Sequence, residues 1–197
     1  MKNKRTTQGA IVITVLVIAI VGYYCFLVNR QKAFREENTP TTIQSVLVRD
    51  LVYDYPPSPK EVIRYYNEII KCFYNEDCTE EEIEALAAQA RKLYDDELVS
   101  SNEWEEYLIN LNTEIKESKI SGRKLTSCAV SSAADVEFFD EDGYSFARLR
   151  SSYNMMQGSI PLSAMEVYLL RRDEAGHWRI YGWKDASELE AAAGGNG

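Results

Sequence analysis

Residues Val167 to Trp183 read VYLLRRDEAGHWRIYGW. Two β-forming runs flank a polar centre and Gly176 supplies a turn, so this stretch predicts an antiparallel hairpin. Working back toward Gly122, apolar residues keep a period of two. The candidate strands are Lys124 to Val130, Val136 to Phe139, Tyr144 to Met156, Ala164 to Arg172 and His177 to Lys184, with Asp142-Gly143 as a second turn. Neighbours joined by short turns predict an antiparallel meander. Before Gly122 the apolar period is helical. Helices first and strands afterwards define an α+β domain, since a parallel α/β sheet needs alternating units.

Three helices are marked by their entry signals. Ser58-Pro59-Lys60-Glu61 places an N-cap Ser, a first-turn Pro and a Glu at the third position. Thr79-Glu80-Glu81-Glu82 and Ser100-Ser101-Asn102-Glu103 repeat the capping box. The apolar stripes are Val62, Ile63, Tyr66, Ile69, Ile70 and Phe73; then Ile83, Leu86, Ala87, Ala90, Leu93 and Tyr94; then Trp104, Tyr107, Leu108, Leu111 and Ile115. Upstream, Ile43, Val46, Leu47 and Leu51 recur at helical spacing until Tyr55-Pro56-Pro57 stops them, because the residue before a proline leaves the α region.

Gly9 to Val28, GAIVITVLVIAIVGYYCFLV, carries no charge. Twenty residues at 1.5 Å each span about 30 Å, the hydrocarbon thickness of a bilayer. The run is too long for a signal peptide and ends in bulky rings where a cleavage site needs small residues. It predicts an uncleaved transmembrane helix anchored in the lipid bilayer of the cell membrane. Three basic residues precede it (Lys2, Lys4, Arg5) and three follow (Arg30, Lys32, Arg35), so the positive-inside count is balanced. The signal-anchor layout of a short tail and an immediate span predicts the large domain outside the cytoplasm. The expected partition is a basic tail at 1–8, a transmembrane helix at 9–28, a linker with a short helix at 29–57, the α+β domain at 58–185 and a disordered tail at 186–197.

Charge excludes some functions. The chain has 22 Lys and Arg against 31 Asp and Glu, a net charge of −9. Between Glu76 and Glu117 there are 14 acids and three bases, a local net of −11. Nucleic acid needs a basic face to displace condensed counterions, so none is expected as a partner. Four soft ligands at zinc spacing, a calcium loop and a glycine-rich phosphate loop are all missing from the sequence, and neither a metal nor a cofactor is expected. The single histidine, His177, follows the Gly176 turn, where an exposed hairpin residue is the simple reading; a general base belongs in a cleft. The strand acids Asp135, Glu137 and Glu166 have no evident partner in the sequence. No enzymatic activity and no catalytic residue are expected. Cys72 and Cys78 are near enough in sequence for a bridge in an oxidising compartment, but Cys128 would be left odd, which favours free thiols.

The closing hairpin, apolar then charged, a turn, then Trp, basic and Ile, resembles that of the nuclear-transport-factor-2-like (cystatin-like) cone fold, over residues 58–185. The span, RDL at Arg49 to Leu51, YPPSP at Tyr55 to Pro59 and CFYN at Cys72 to Asn75 also resemble an uncharacterised family of single-pass membrane proteins from Gram-positive bacteria. The resemblance implies three helices packed on a curved antiparallel sheet, leaving a cone-like cavity that some relatives use as an active site and others leave unused in assembly.

The last two strands are apolar on both faces, with Trp178, Ile180 and Gly182 opposing Tyr181 and Trp183. An outer sheet face is ordinarily polar, so one apolar face is either covered by more chain or is a binding surface. The expectation is a non-catalytic, extracytoplasmic interaction or assembly module. Its contact residues would be Tyr168, Tyr181 and Trp183, with Arg171 and Arg172 at the rim, facing a protein partner or a second copy as a homodimer. The alternative is a carrier or sensor for a small apolar ligand, its cavity lined by Tyr66, Phe73, Leu149 and Tyr153. An enzyme using that cavity is the weaker third reading.

Overall fold

The structure is a computed structural model, and it describes residues 42–189. The helices are Thr42–Leu47 (α1), Pro59–Asn75 (α2), Glu80–Arg91 (α3), Asp96–Ser100 (α4) and Trp104–Ile120 (α5). The strands are Arg123–Val130 (β1), Glu137–Glu141 (β2), Tyr144–Gln157 (β3), Ile160–Arg172 (β4) and Trp178–Asp185 (β5). This is an α+β arrangement whose curved antiparallel sheet is compatible with a cone. The transmembrane helix expected over 9–28 lies outside the described residues; among those described, no helix is long and apolar enough to cross a membrane.

Two of the three predicted caps form. Ser58 Oγ accepts from the Glu61 amide at 3.3 Å, with Pro59 in the first turn. At Thr79 both halves of the capping box are present, 3.2 Å to the Glu82 amide and 2.8 Å back from the Thr79 amide to the Glu82 carboxylate. The third expected cap is a correction. Ser100, Ser101 and Asn102 hydrogen-bond backward, to the carbonyls of Glu97 and Leu98, and so close α4. Asp95 caps α4 through the Glu97 amide, and α5 starts after Glu103 with no side-chain cap.

The sheet runs in the order β1-β3-β4-β5, and β2 pairs only with β3. The simple meander is therefore corrected. β3, 14 residues long, holds β1 along Ser151 to Gln157 and β2 along Tyr144 to Arg148 on one and the same edge. The 3₁₀ turn Ala133–Asp135 separates the two short strands. Register slips between Leu125 and Ser127 in β1, and between Leu169 and Leu170 opposite β5, mark bulges that bend and twist the strands.

Helix α2 supplies the centre of the core. Val62, Ile63, Ile69 and Cys72 are fully buried against the inner sheet face, where Ala147, Leu149, Leu170 and Ile180 are buried too. Residues before Ser58 belong to the same compact unit, which begins at Thr42. Ile43, Val46 and Leu51 join the core, Tyr65 donates to the Val46 carbonyl at 2.7 Å, and Gln89 donates to the Arg49 carbonyl at 2.7 Å. That segment packs mainly on α2 and α3 and also reaches β5 through Tyr55, which donates to the Trp178 carbonyl at 2.9 Å and lies 4.7 Å from the Arg179 guanidinium.

After Arg91 the chain leaves the helix, although Leu93 and Tyr94 continue its apolar period. The Asp95 amide donates to the Ile180 carbonyl and the Ile180 amide to the Leu93 carbonyl, both at 2.8 Å. These bonds occupy the open edge of β5. A clasp fixes the junction. Arg171 donates from Nε to Asp95 Oδ2 (2.9 Å), from Nη2 to Asp95 Oδ1 (2.5 Å) and from Nη1 to Glu97 Oε1 (2.7 Å). Its guanidinium lies 4.7 Å from the Tyr144 ring centre and 4.9 Å from that of Tyr181. Asp95 is 5% exposed, so Arg171→Met strands a buried carboxylate and should destabilise the fold by about 3 kcal/mol. Arg171→Lys should recover only part, because an ammonium cannot reproduce the fork. Denaturant titration of the variants checks both; an unchanged midpoint for Arg171→Met would show the clasp to be idle.

Candidate functional site

Between α5, α2 and the inner face of the sheet lies a cavity of about 280 Å³. Its position explains an oddity of α5. The predicted stripe Tyr107, Leu108 and Leu111 is only half-buried, and among the described residues of that helix only Ile115 and Ser118 are buried. Tyr107 and Leu111 border the cavity while packing on the edge of the core.

Alternation along β3 and β4 aims polar groups into this space. Tyr153 in β3 and Glu166 and Tyr168 in β4 all lie on the inner face, together with Trp183, which stands directly opposite Tyr168 in β5. The Tyr168 hydroxyl donates to Glu166 Oε2 at 2.5 Å, and its oxygen is 2.7 Å from that of Tyr153. Tyr153 in turn donates to Asn67 Oδ1 at 2.7 Å, and Asn67 Nδ2 to Ser151 Oγ at 3.0 Å. A phenol has one proton. With both phenolic protons directed outward, the Tyr153–Tyr168 contact has none. Two arrangements satisfy the whole chain. If Glu166 is protonated, the donors run from Glu166 through Tyr168 and Tyr153 to Asn67. If Glu166 is ionised, the Asn67 amide turns over and the donors run the other way, ending on the carboxylate.

A second hydroxyl chain joins Tyr66 to Tyr94 (3.0 Å) and Tyr94 to Tyr107 (3.5 Å), and Tyr74 donates to Glu114 Oε1 at 2.6 Å. Burial pushes the phenols of Tyr66, Tyr94 and Tyr168 well above their ordinary range, so all are neutral. Burial also raises the Glu166 carboxyl. The Tyr168 hydrogen bond opposes this, while the carboxylates of Asp185 and Glu114 add to it.

The residues expected at a contact surface are dispersed. Tyr168 is fully buried and belongs to the cavity wall, not to an exposed face. Trp183 is 39% exposed, but its ring lies 6.0 Å from Tyr66, 5.9 Å from Tyr94 and 6.0 Å from Tyr168, at the cavity margin. Tyr181 is on the opposite face, donating to Glu97 Oε2 at 2.9 Å and packing on Phe146. Arg171 is held in the clasp, and Arg172 lies over Trp178 and donates to the Gly176 carbonyl. Of the four expected cavity residues, Tyr66, Phe73 and Tyr153 line it, while Leu149 is packed in the core outside it. The strand acids do have partners: Asp135 accepts from Ser132, Glu137 from Arg148 and Glu166 from Tyr168. His177 is half-buried, its ring 4.5 Å from that of Tyr55.

Not expected at the cavity were Tyr94 and Tyr107, read only as helix-stripe residues, together with Glu114 and the role of Glu166. The one available signal was Glu166 two residues before Tyr168, which puts both on one strand face.

A compact α+β domain with a partly open, ring-walled and acidic cavity beneath its sheet is the class these features define. The chain belongs to the family described as a domain of unknown function, DUF6715, whose model matches residues 1–183. No curated protein matches it.

Cys72, Cys78 and Cys128 are free thiols, and Cys78 Sγ donates to the Cys72 carbonyl at 3.6 Å. Burial raises the Cys72 thiol to about 11, with Cys78 and Glu76 adding to it. Because only the thiolate reacts, iodoacetamide at pH 8 should label Cys72 last in the folded chain. Its rate should climb about tenfold per pH unit until near that value, as the thiolate fraction grows. Peptide mapping checks the order; labelling of Cys72 ahead of the other two contradicts it.

Proposed function

We propose that this protein is a single-pass, membrane-anchored binding protein whose cone-like domain, held outside the cytoplasm, takes up a small ligand in the cavity beneath its sheet. The observation that carries this reading is the convergence of Glu166, Tyr168 and Tyr153 on an incompletely filled space of about 280 Å³. A few placed polar groups in a mostly apolar concavity are the usual make-up of a ligand site. The resemblance of the closing hairpin to the nuclear-transport-factor-2-like fold is consistent with this choice, since some relatives use that cavity while others serve only in assembly. The uncharged run Gly9 to Val28 supports the anchor.

Assembly through an aromatic sheet face is the weaker reading. It needs Tyr168, Tyr181 and Trp183 on one exposed surface, and the β5 bulge divides them between two faces. Solvent-exposed apolar side chains do occur elsewhere, at Phe138 and Ile160, and they leave room for a protein contact at other edges.

Two measurements test the proposal. In a thermal-shift screen of the full chain in a non-ionic detergent, using fragments of all charge types, at least one fragment should raise the melting temperature saturably. Ala164→Trp, which fills the cavity from β4, should abolish the response; Met155→Trp provides a second filling variant if the first does not fold. A screen without a saturable hit, or hits unaffected in a folded filled variant, overturns the ligand reading. For the anchor, alkaline carbonate should leave the chain in the membrane, and external protease should digest the domain in intact cells. Release by carbonate contradicts the anchor, and protection from protease contradicts the orientation.

A further inference from the structure

We propose that the cavity takes a small organic ammonium ion with an apolar body, the ammonium against Glu166 and the body against the ring walls. This rests on the ligand-binding reading and adds the chemical class of the ligand.

The charge inventory is one-sided. Among the described residues lining the cavity are two carboxylates, Glu166 and Glu114, and no Lys, Arg or His. Glu166 takes a hydrogen bond from Tyr168, and no described cation forms an ion pair with it. The buried carboxylate of Asp95, by contrast, is paired with Arg171. Burial without a cation disfavours the ionised form of Glu166, so the site calls for either a proton or a positively charged guest.

The walls suit the second choice. Tyr66, Tyr94, Tyr107 and Trp183 are all neutral rings at the cavity, and the face of a ring attracts a cation, most strongly for Trp. An anion would meet the same ring faces and two carboxylates, which repel it. A bare metal ion is a poor fit, because no group of three or more His, Cys, Asp or Glu among the described residues is arranged to hold one. The acidic stretch from Glu76 to Glu117, net −11, includes α3 and most of α5, whose Tyr107 and Glu114 line the cavity. A field of one sign around a cleft concentrates ions of the other. The hydroxyl chain supplies the matching internal response. With a cation at Glu166 and the Asn67 amide turned over, the same contacts let Asn67 donate to Tyr153, Tyr153 to Tyr168 and Tyr168 to the carboxylate.

Three probes with one body and different charge test this: 2-phenylethylammonium, 2-phenylethanol and phenylacetate, each titrated into the full chain in non-ionic detergent and followed by calorimetry and tryptophan fluorescence. The ammonium should bind saturably and at least tenfold more tightly than the alcohol, with phenylacetate weakest. Glu166→Gln should remove the ammonium's advantage, so that ammonium and alcohol bind that variant within about threefold of each other. Trp183→Phe should remove the fluorescence response. Equal binding of ammonium and alcohol, or tighter binding of phenylacetate, overturns the cation assignment and leaves the ligand reading standing. Failure of all three probes overturns the cation assignment too; only failure of the wider fragment screen takes the ligand reading with it.

Discussion

One extra residue in β5 sets the arrangement of the site. Leu169 pairs with Gly182 and Leu170 with Ile180, so Tyr181 is left without an opposite number. Strict alternation from Ile180 would carry Trp183 to the outer face; the bulge returns it to the inner one, opposite Tyr168. The same step turns Tyr181 outward, where its hydroxyl reaches Glu97 and its ring supports Arg171. Arg171 then holds Asp95, and with it the segment that closes the edge of β5. Cavity wall, clasp and edge closure thus depend on a single slip of register, a common device for re-aiming side chains beside functional sites.

Two acidic positions of the domain, Asp95 and Glu166, are treated in opposite ways. Asp95 is buried and fully compensated by a bidentate guanidinium, the geometry that best offsets desolvation. Glu166 is given a phenol, with further carboxylates nearby and no cation. Glu166 can be balanced by a proton or by a cation from outside, and the proposed ammonium guest takes the second course. That contrast is the physical content of the functional proposal.

Much of the fold was readable from local chemistry. The Ser58 and Thr79 caps, the five strands and the α+β order depend on residues within a few positions of one another. What was not readable depends on distant partners. Ser100-Ser101-Asn102-Glu103 has the composition of a helix start, but Asp95 caps one helical turn earlier and draws those side chains into closing it. Leu93 and Tyr94 fit a helical stripe, yet Ile180, far along the chain, offers them strand pairing. A bulge leaves no mark in the period of β5, and so the rings of Tyr181 and Trp183 were placed on one face together. Part of the cavity was legible, since Tyr66, Phe73 and Tyr153 lie on predictable inner faces. Glu114 was hidden by its setting, one acid among many on a charged helix.

The state of the Glu166 carboxyl bears most directly on this account. Carbon-13 NMR of the ligand-free chain with labelled glutamate, assigned by the loss of one signal in Glu166→Gln, follows its titration. The account predicts a midpoint above the ordinary Glu value of roughly 4.3, because burial and neighbouring carboxylates are not offset by a cation. A midpoint at or below that value would mean that the charge is already compensated within the protein, and the case for a positively charged guest would be lost.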